Sequence, residues 1–176
     1  QVKGIGFDSW RRVGSVVPSI KVYNQRDVDE LILLDITATK ENKIPDIESI
    51  EEFSRECFVP LTVGGGIRQI THVQKLLRAG ADKICLNSIT YTNPELVTSC
   101  SQVHGAQCVV VSIDARKNGD SWECFSHNGQ MPTGRDVANH AKEMEERGAG
   151  ELLITSIERD GTMTGYDLEL ITAVSS

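Results

Sequence analysis

Five short apolar runs punctuate the chain, and each stops at a polar or glycine-rich tip. They are 31–36 before Thr37, 61–63 before Gly64-Gly65-Gly66, 84–86 before Asn87-Ser88, 109–113 before Asp114, and 152–154 before Thr155-Ser156. Between them lie stretches whose apolar residues recur at helical spacing. Continuous Val/Ile/Leu runs alternating with helices predict parallel strands buried on both faces. Folds of that kind carry their chemistry at the C-terminal ends of the strands, so the tips nominate the site.

The helices predicted between the runs cover 17–24, 47–57 with Asp46 as N-cap, and 71–79 with Thr71 as cap and Gly80 as the left-handed stop. A fourth opens at Asn93-Pro94-Glu95, where cap, proline and first-turn acid stand in the favoured order. After Asp114 the rhythm changes. Asn118-Gly119-Asp120, then 122–126 and Asn128-Gly129, read as a small hairpin inserted after the fifth strand. A fifth helix follows over 135–147, ending at Gly148, and a sixth begins at Tyr166.

An internal echo sets the architecture. The segment 28–34 resembles 149–155 at a separation of roughly 120 residues, and each copy follows a helix. A repeat after about four βα units of about 30 residues suggests two halves of an eight-stranded (β/α)8 TIM barrel. The expected fold class is therefore α/β, a partial TIM barrel supplying strands two to six with their helices. The expected domain organisation is a single incomplete barrel domain over 1–176, since no linker interrupts the pattern. The chain starts with Gln and stops inside a predicted helix, so it reads as an excerpt.

Net charge is −7, and no run of Lys and Arg supplies the electrostatic footprint of a nucleic-acid binder. No apolar stretch approaches the roughly 20 residues that span a bilayer, so no membrane partner is expected. The cysteines Cys57, Cys85, Cys100, Cys108 and Cys124 have no C-x-x-C spacing and read as reduced structural thiols of a cytoplasmic protein. The histidines His72, His104, His127 and His140 likewise lack ligand spacing, so neither a metal nor another cofactor is expected.

Among the tips, Asp114 is the sharpest catalytic candidate. A carboxylate at the mouth of an apolar strand is partly desolvated, which raises its pKa toward that of a useful general acid. The competing reading is a salt bridge to Arg116 or Lys117. Asp35 is expected to order its neighbouring loop by hydrogen bonds. The glycine triplet suits close approach of backbone N–H groups to an oxyanion, or else a tight strand exit needing positive φ. Asn87 and Ser88 at the adjacent tip add an amide and a hydroxyl, favouring a phosphate. Asp160-Gly161-Thr162 offers a further anion nest or a simple Asp-Gly turn.

Charges at the opposite ends of the strands form a second constellation. Glu30, Lys83 and Glu151 open strands two, four and six, and alternate strands feed the same interior layer of a barrel. They read either as a charged ring across the barrel bottom, suited to a gate or docking feature, or as three solvated charges.

Taken together, Val2-Lys3-Gly4, Leu34-Asp35-Ile36-Thr37-Ala38, Thr62-Val63-Gly64-Gly65-Gly66-Ile67-Arg68, Gly80-Ala81-Asp82-Lys83, Asn93-Pro94, the block from Gln107 to Ala115, and the block from Thr155 to Thr162 through Gly165-Tyr166-Asp167 resemble the cyclase subunits of imidazole glycerol phosphate synthase. The order and spacing of these blocks are more specific than any one of them, and they span nearly the whole chain. The resemblance implies a lyase of histidine biosynthesis in heterodimeric partnership with a glutaminase, a glutamine amidotransferase docked at the N-terminal face. Ammonia from that partner crosses the barrel and splits and cyclises a bis-phosphorylated ribulosyl-formimino aminoimidazole carboxamide ribotide. By the same resemblance two aspartates act as general acid and base, Asp114 matching the second and the first lying upstream of Gln1. Gly66, Asn87 and Ser88 match one phosphate site and Asp160 and Gly161 part of the other, with Gly65 and Thr155 also expected among the substrate-binding residues. Glu30, Lys83 and Glu151 match members of the ammonia gate.

Two positions depart from the family pattern, Gly6 before Phe7 and Glu158 where an aspartate is usual. Thr39-Lys40-Glu41-Asn42-Lys43 and Asp160-Gly161-Thr162-Met163 look more like a paralogous branch that feeds ammonia to an amidated sugar of surface polysaccharides. A non-catalytic ammonia-conducting module is the alternative from another class.

Overall fold

A computed structural model describes residues 1–5, 7–12 and 14–175. Gly6, one of the two departures from the family pattern, lies outside the described residues. The chain opens on an antiparallel hairpin, β1 (Val2–Ile5) with β2 (Asp8–Arg12), which the hydrophobic pattern did not predict. Then comes the expected alternation: α1 (Val16–Asn24), β3 (Leu31–Leu34), α2 (Ile47–Glu56), β4 (Leu61–Gly64), α3 (Ile70–Arg78) and β5 (Lys83–Leu86). It continues with α4 (Ile89–Thr92), α5 (Glu95–His104), β6 (Val109–Asn118), β7 (Ser121–Ser126), β8 (Met131–Asp136), α6 (Val137–Glu146), β9 (Glu151–Ser156) and α7 (Leu168–Ser175).

The five predicted strands are β3, β4, β5, β6 and β9, and they pair in parallel in that order. Chain order and spatial order agree, as in a barrel wall, and among the described residues the sheet is not closed. β6 does two jobs. Its first half is sandwiched between β5 and β9, while from Asp114 onward it pairs antiparallel with β7, which pairs with β8. The inserted hairpin thus has a third strand, and residues 131–136 are extended where a helix was expected to begin at 135.

Burial explains why these runs are strands. Every residue of β4 is buried, and so are the first seven of β6, because helices cover one face and the barrel interior the other. Val111 and Ile113 face outward into a layer with Val73, Leu76, Val97, Ala141, Met144 and Leu170. Ser112 and Asp114, offset by one in the strand period, face inward.

Helix ends shift from their expected places for identifiable reasons. Asp46 caps α2 by accepting from the Glu48 N–H at 3.2 Å, as its sequence position suggested. For α3 the cap is Gln69, not Thr71, so the helix starts a turn-fraction earlier. Asp136 caps α6 by accepting from Asn139 N–H at 3.0 Å, which delays that helix to Val137.

Candidate active site

A cavity of about 510 Å³ opens at the C-terminal ends of β3, β4, β5, β6 and β9. Its lining includes Gly65, Gly66, Asn87, Ser88, Asp114, Thr155 and Asp160, so the structure brings together seven of the eight residues nominated at the tips. Gly161 stands just behind the wall. A Cβ there would fall 2.1 Å from the Gly4 carbonyl oxygen, and its φ of +73° belongs to the turn reading of Asp160-Gly161.

Asp114 is 5% exposed and accepts a hydrogen bond from Asn87 Nδ2 at 2.9 Å. Burial pushes its pKa up to about 6; the Asn87 amide opposes that shift and the charge of Asp160 adds to it. The salt-bridge reading is overturned. Arg116 lies over the Phe125 ring at 4.5 Å, and Lys117 pairs with Glu169 at 2.7 Å. Cys85, also in the cavity wall, is inert, its thiol pushed up to about 12 by burial and by Asp114. Thr155 stands opposite Asp114 in the β6–β9 register, so both side chains project to the same face.

The glycine triplet is demanded by packing as well as by conformation. Gly65 (φ +104°) and Gly66 (φ +66°) bring the β4 exit against the loop after β3. A Cβ at Gly65 would sit 2.3 Å from Asp35 O, and one at Gly66 2.0 Å from Lys43 O. That loop is folded by Asp35, whose Oδ1 accepts from Thr37 N–H, Thr37 Oγ1–H and Ala38 N–H at 2.8, 2.9 and 3.1 Å. Asp35 is thus the loop-ordering residue expected. Arg68 clamps the same loop from the other side, donating to Asn42 Oδ1 and to Lys43 O.

Two contributors to the cavity could not be placed there from the sequence. The β7–β8 turn leans over the mouth, with His127 and Asn128 both at positive φ and both lining it. His127 N–H donates to Ser88 Oγ at 3.0 Å, and Asn128 Nδ2 donates across to Ile36 O. The Asn128-Gly129 pair was legible as a turn, but nothing in it announced where the turn would land. Val2, Gly4 and Phe7 from the opening hairpin complete the rim.

At the opposite ends of the strands the three charges pair through Lys83. Lys83 Nζ donates to Glu30 Oε2 at 2.8 Å and to Glu151 Oε1 at 2.6 Å, while Thr62 Oγ1 donates to Glu30 Oε1 at 2.5 Å. Burial alone would lift the Glu30 pKa, but the hydrogen bonds from Lys83 and Thr62 outweigh it and leave it below the ordinary carboxylate value. The reading as three solvated charges is overturned.

All five cysteines are free, and among the described residues no group of His, Cys, Asp and Glu is arranged to hold a metal ion. Among the described residues no helix is long and apolar enough to cross a membrane.

Residues 1–176 match the profile of the histidine biosynthesis protein family. The chain is 47% identical over 175 residues to imidazole glycerol phosphate synthase subunit HisF of Hyphomonas neptunium, a match that covers 99% of this chain and 69% of that protein.

Proposed function

The chain belongs to the histidine biosynthesis protein family, and from that premise we propose that it is the cyclase subunit of an imidazole glycerol phosphate synthase, with Asp114 as an acid–base residue. The observation that carries the assignment of Asp114 is its burial at the floor of a cavity shared with the tips of all five parallel strands. A carboxyl that titrates at about 6 holds and releases a proton near neutral pH, which ring closure and C–N cleavage both require.

The remaining tips supply polar anchors. Ser88 accepts from His127 N–H, which leaves its own hydroxyl proton for an acceptor such as a phosphate oxygen. Thr155 offers a second hydroxyl beside Asp114. The glycine loop places backbone rather than side chains at the mouth, suited to one phosphate of a bis-phosphorylated ribotide. Asp160, across the cavity, keeps Asp114 protonated further toward neutrality.

Ammonia is assigned to the opposite pole. The paired Glu30, Lys83 and Glu151 lie at the N-terminal ends of the parallel strands, where a glutaminase subunit would dock and deliver it. The single barrel domain, the cytoplasmic setting and the heterodimer belong to the same proposal, and the free cysteines fit a reducing compartment.

The test is an ammonia-dependent turnover assay of the full-length protein with the bis-phosphorylated ribotide, alongside Asp114→Asn. Loss of general acid–base chemistry lowers kcat by roughly 10²- to 10⁴-fold. Normal turnover by the variant overturns the assignment.

A further inference from the structure

Behind the wall that carries Asp114 lies a buried polar chain that no step of the proposed reaction uses. It begins at His140 on α6, 2% exposed, and passes to Thr90 on α4, which is fully buried. Thr90 Oγ1 is 2.7 Å from the main-chain oxygen of Asn87 and 3.1 Å from His140 Nε2. A carbonyl oxygen can only accept, so the one hydroxyl proton of Thr90 is committed to Asn87. His140 Nε2 must then be the donor to Thr90.

That assignment leaves His140 Nδ1 without a proton, and Nδ1 is buried with no hydrogen-bond partner. The imidazole is neutral, its pKa lowered to about 4 by burial and by the charge of Arg135 on β8, with Glu143 on its own helix opposing. Tyr91 stacks on it at 4.6 Å between ring centroids, so the ring has no room to swing away. Cys124 of β7 neighbours Tyr91, its thiol pushed up to about 12 by burial.

Asn87 ends the chain in an orientation that needs support. An ionised carboxylate can only accept, so Asn87 must turn Nδ2 toward Asp114, and its Oδ1 is left buried without a partner. With no bond of its own at Oδ1, the side chain is placed only by Asp114 and by the position of the Asn87 backbone, so a shift of that backbone would draw the amide off the carboxylate.

The geometry points to His140 and Thr90 as positioning residues: the donor run from His140 Nε2–H through Thr90 Oγ1–H to Asn87 O reinforces the Thr90 N–H bond of 2.8 Å on the same oxygen and pins the turn that enters α4, so that the Asn87 amide stays on Asp114. The inference rests on the reading of Asp114 as the acid–base residue. Its backbone anchor, however, is a matter of hydrogen bonding that is measurable without catalysis. The titratable groups electrostatically coupled to Asp114 are Cys85, Tyr91 and Asp160, and none of the three is substituted in the variants below; the Thr90 pair also leaves the stacking of Tyr91 on His140 untouched.

The experiment uses the full-length protein with its partner subunit. It follows the Asp114 carboxyl by its ¹³C shift against pH, and kcat and KM with ammonia over the same range. Thr90→Val and His140→Leu remove a donor at nearly constant apolar volume, whereas Thr90→Ser and His140→Gln keep one. The first pair is expected to move the Asp114 midpoint upward and to lower kcat by roughly three- to tenfold with KM unchanged, the worth of one hydrogen bond. The second pair is expected to titrate and turn over like the parent. A Thr90→Val protein that keeps the parent midpoint and kcat overturns the inference, as does an equal loss in all four variants with the midpoint unmoved, which is plain packing damage. If Asp114 responds as expected but the parent has no ammonia-dependent turnover, the positioning chain stands and the cyclase reading falls.

Discussion

At the scale of single residues, the protein accepts a less stable fold in order to keep one carboxyl buried. Asp114 titrates at about 6 in the folded chain against an ordinary value of 3.8. Between those values the folded state binds the extra proton, so stability is fully present below about pH 4 and declines as pH rises through 6. The difference corresponds to on the order of 3 kcal/mol. Asp114→Asn, which removes the charge and keeps the shape, is therefore expected to be more stable than the parent at pH 8 and to lose that advantage at pH 4. Urea unfolding at the two pH values checks it. This residue was legible because a carboxylate that closes an apolar strand costs desolvation energy, which points to a charge partner or to chemistry. Asn87 was legible only as a polar tip: a sequence does not show that its amide is spent on Asp114, nor that His140, roughly 50 residues further on, supports it through Thr90.

At the scale of elements, the strands declared themselves because both of their faces are buried. Loops that meet edge to edge did not. The exits of β3 and β4 interlock through missing side chains at Gly65 and Gly66, and the Arg68 clamp holds them together. Gly66→Ala forces a Cβ to 2.0 Å from Lys43 O at a φ of +66°. Either the strain is carried or the loop 35–43 moves away from the mouth. The conformational strain alone is about 1–2 kcal/mol, so a lower urea midpoint is expected, together with a raised KM for the phosphorylated substrate. The β1–β2 hairpin and α4 were hidden for another reason: Val2–Ile5, Asp8–Arg12 and Ile89–Thr92 hold no continuous apolar run like those of the equally short β3 to β5, although both elements border the cavity.

At the scale of the whole molecule, the two ends of the parallel array are tied by charge. Glu30 precedes β3 at one edge and Glu151 begins β9 at the other, yet both reach Lys83 on the central strand β5. The sequence made this legible, since the alternation of strands in a barrel layer brings residues at its second, fourth and sixth positions together. Whether they would pair was not, because pairing depends on how far the strands are staggered. The pairs are half-open to solvent, with Lys83 at 18%, Glu30 at 26% and Glu151 at 48% side-chain exposure, so each is weaker than a fully buried ion pair. Lys83→Met leaves two carboxylates facing one another without a counterion. Expected is a loss of about 1–2 kcal/mol at neutral pH, between the limits for exposed and buried pairs. The Glu30 pKa is depressed, so its contribution is present above the ordinary carboxylate value and lost as pH falls through the folded one. The Lys83 pKa is raised, so its contribution is present below the ordinary lysine value and lost as pH rises through its own. The deficit of Lys83→Met should therefore shrink toward zero below pH 4. A deficit that persists unchanged at pH 3 would mean that the lysine stem, and not its charge, holds the two edges in register.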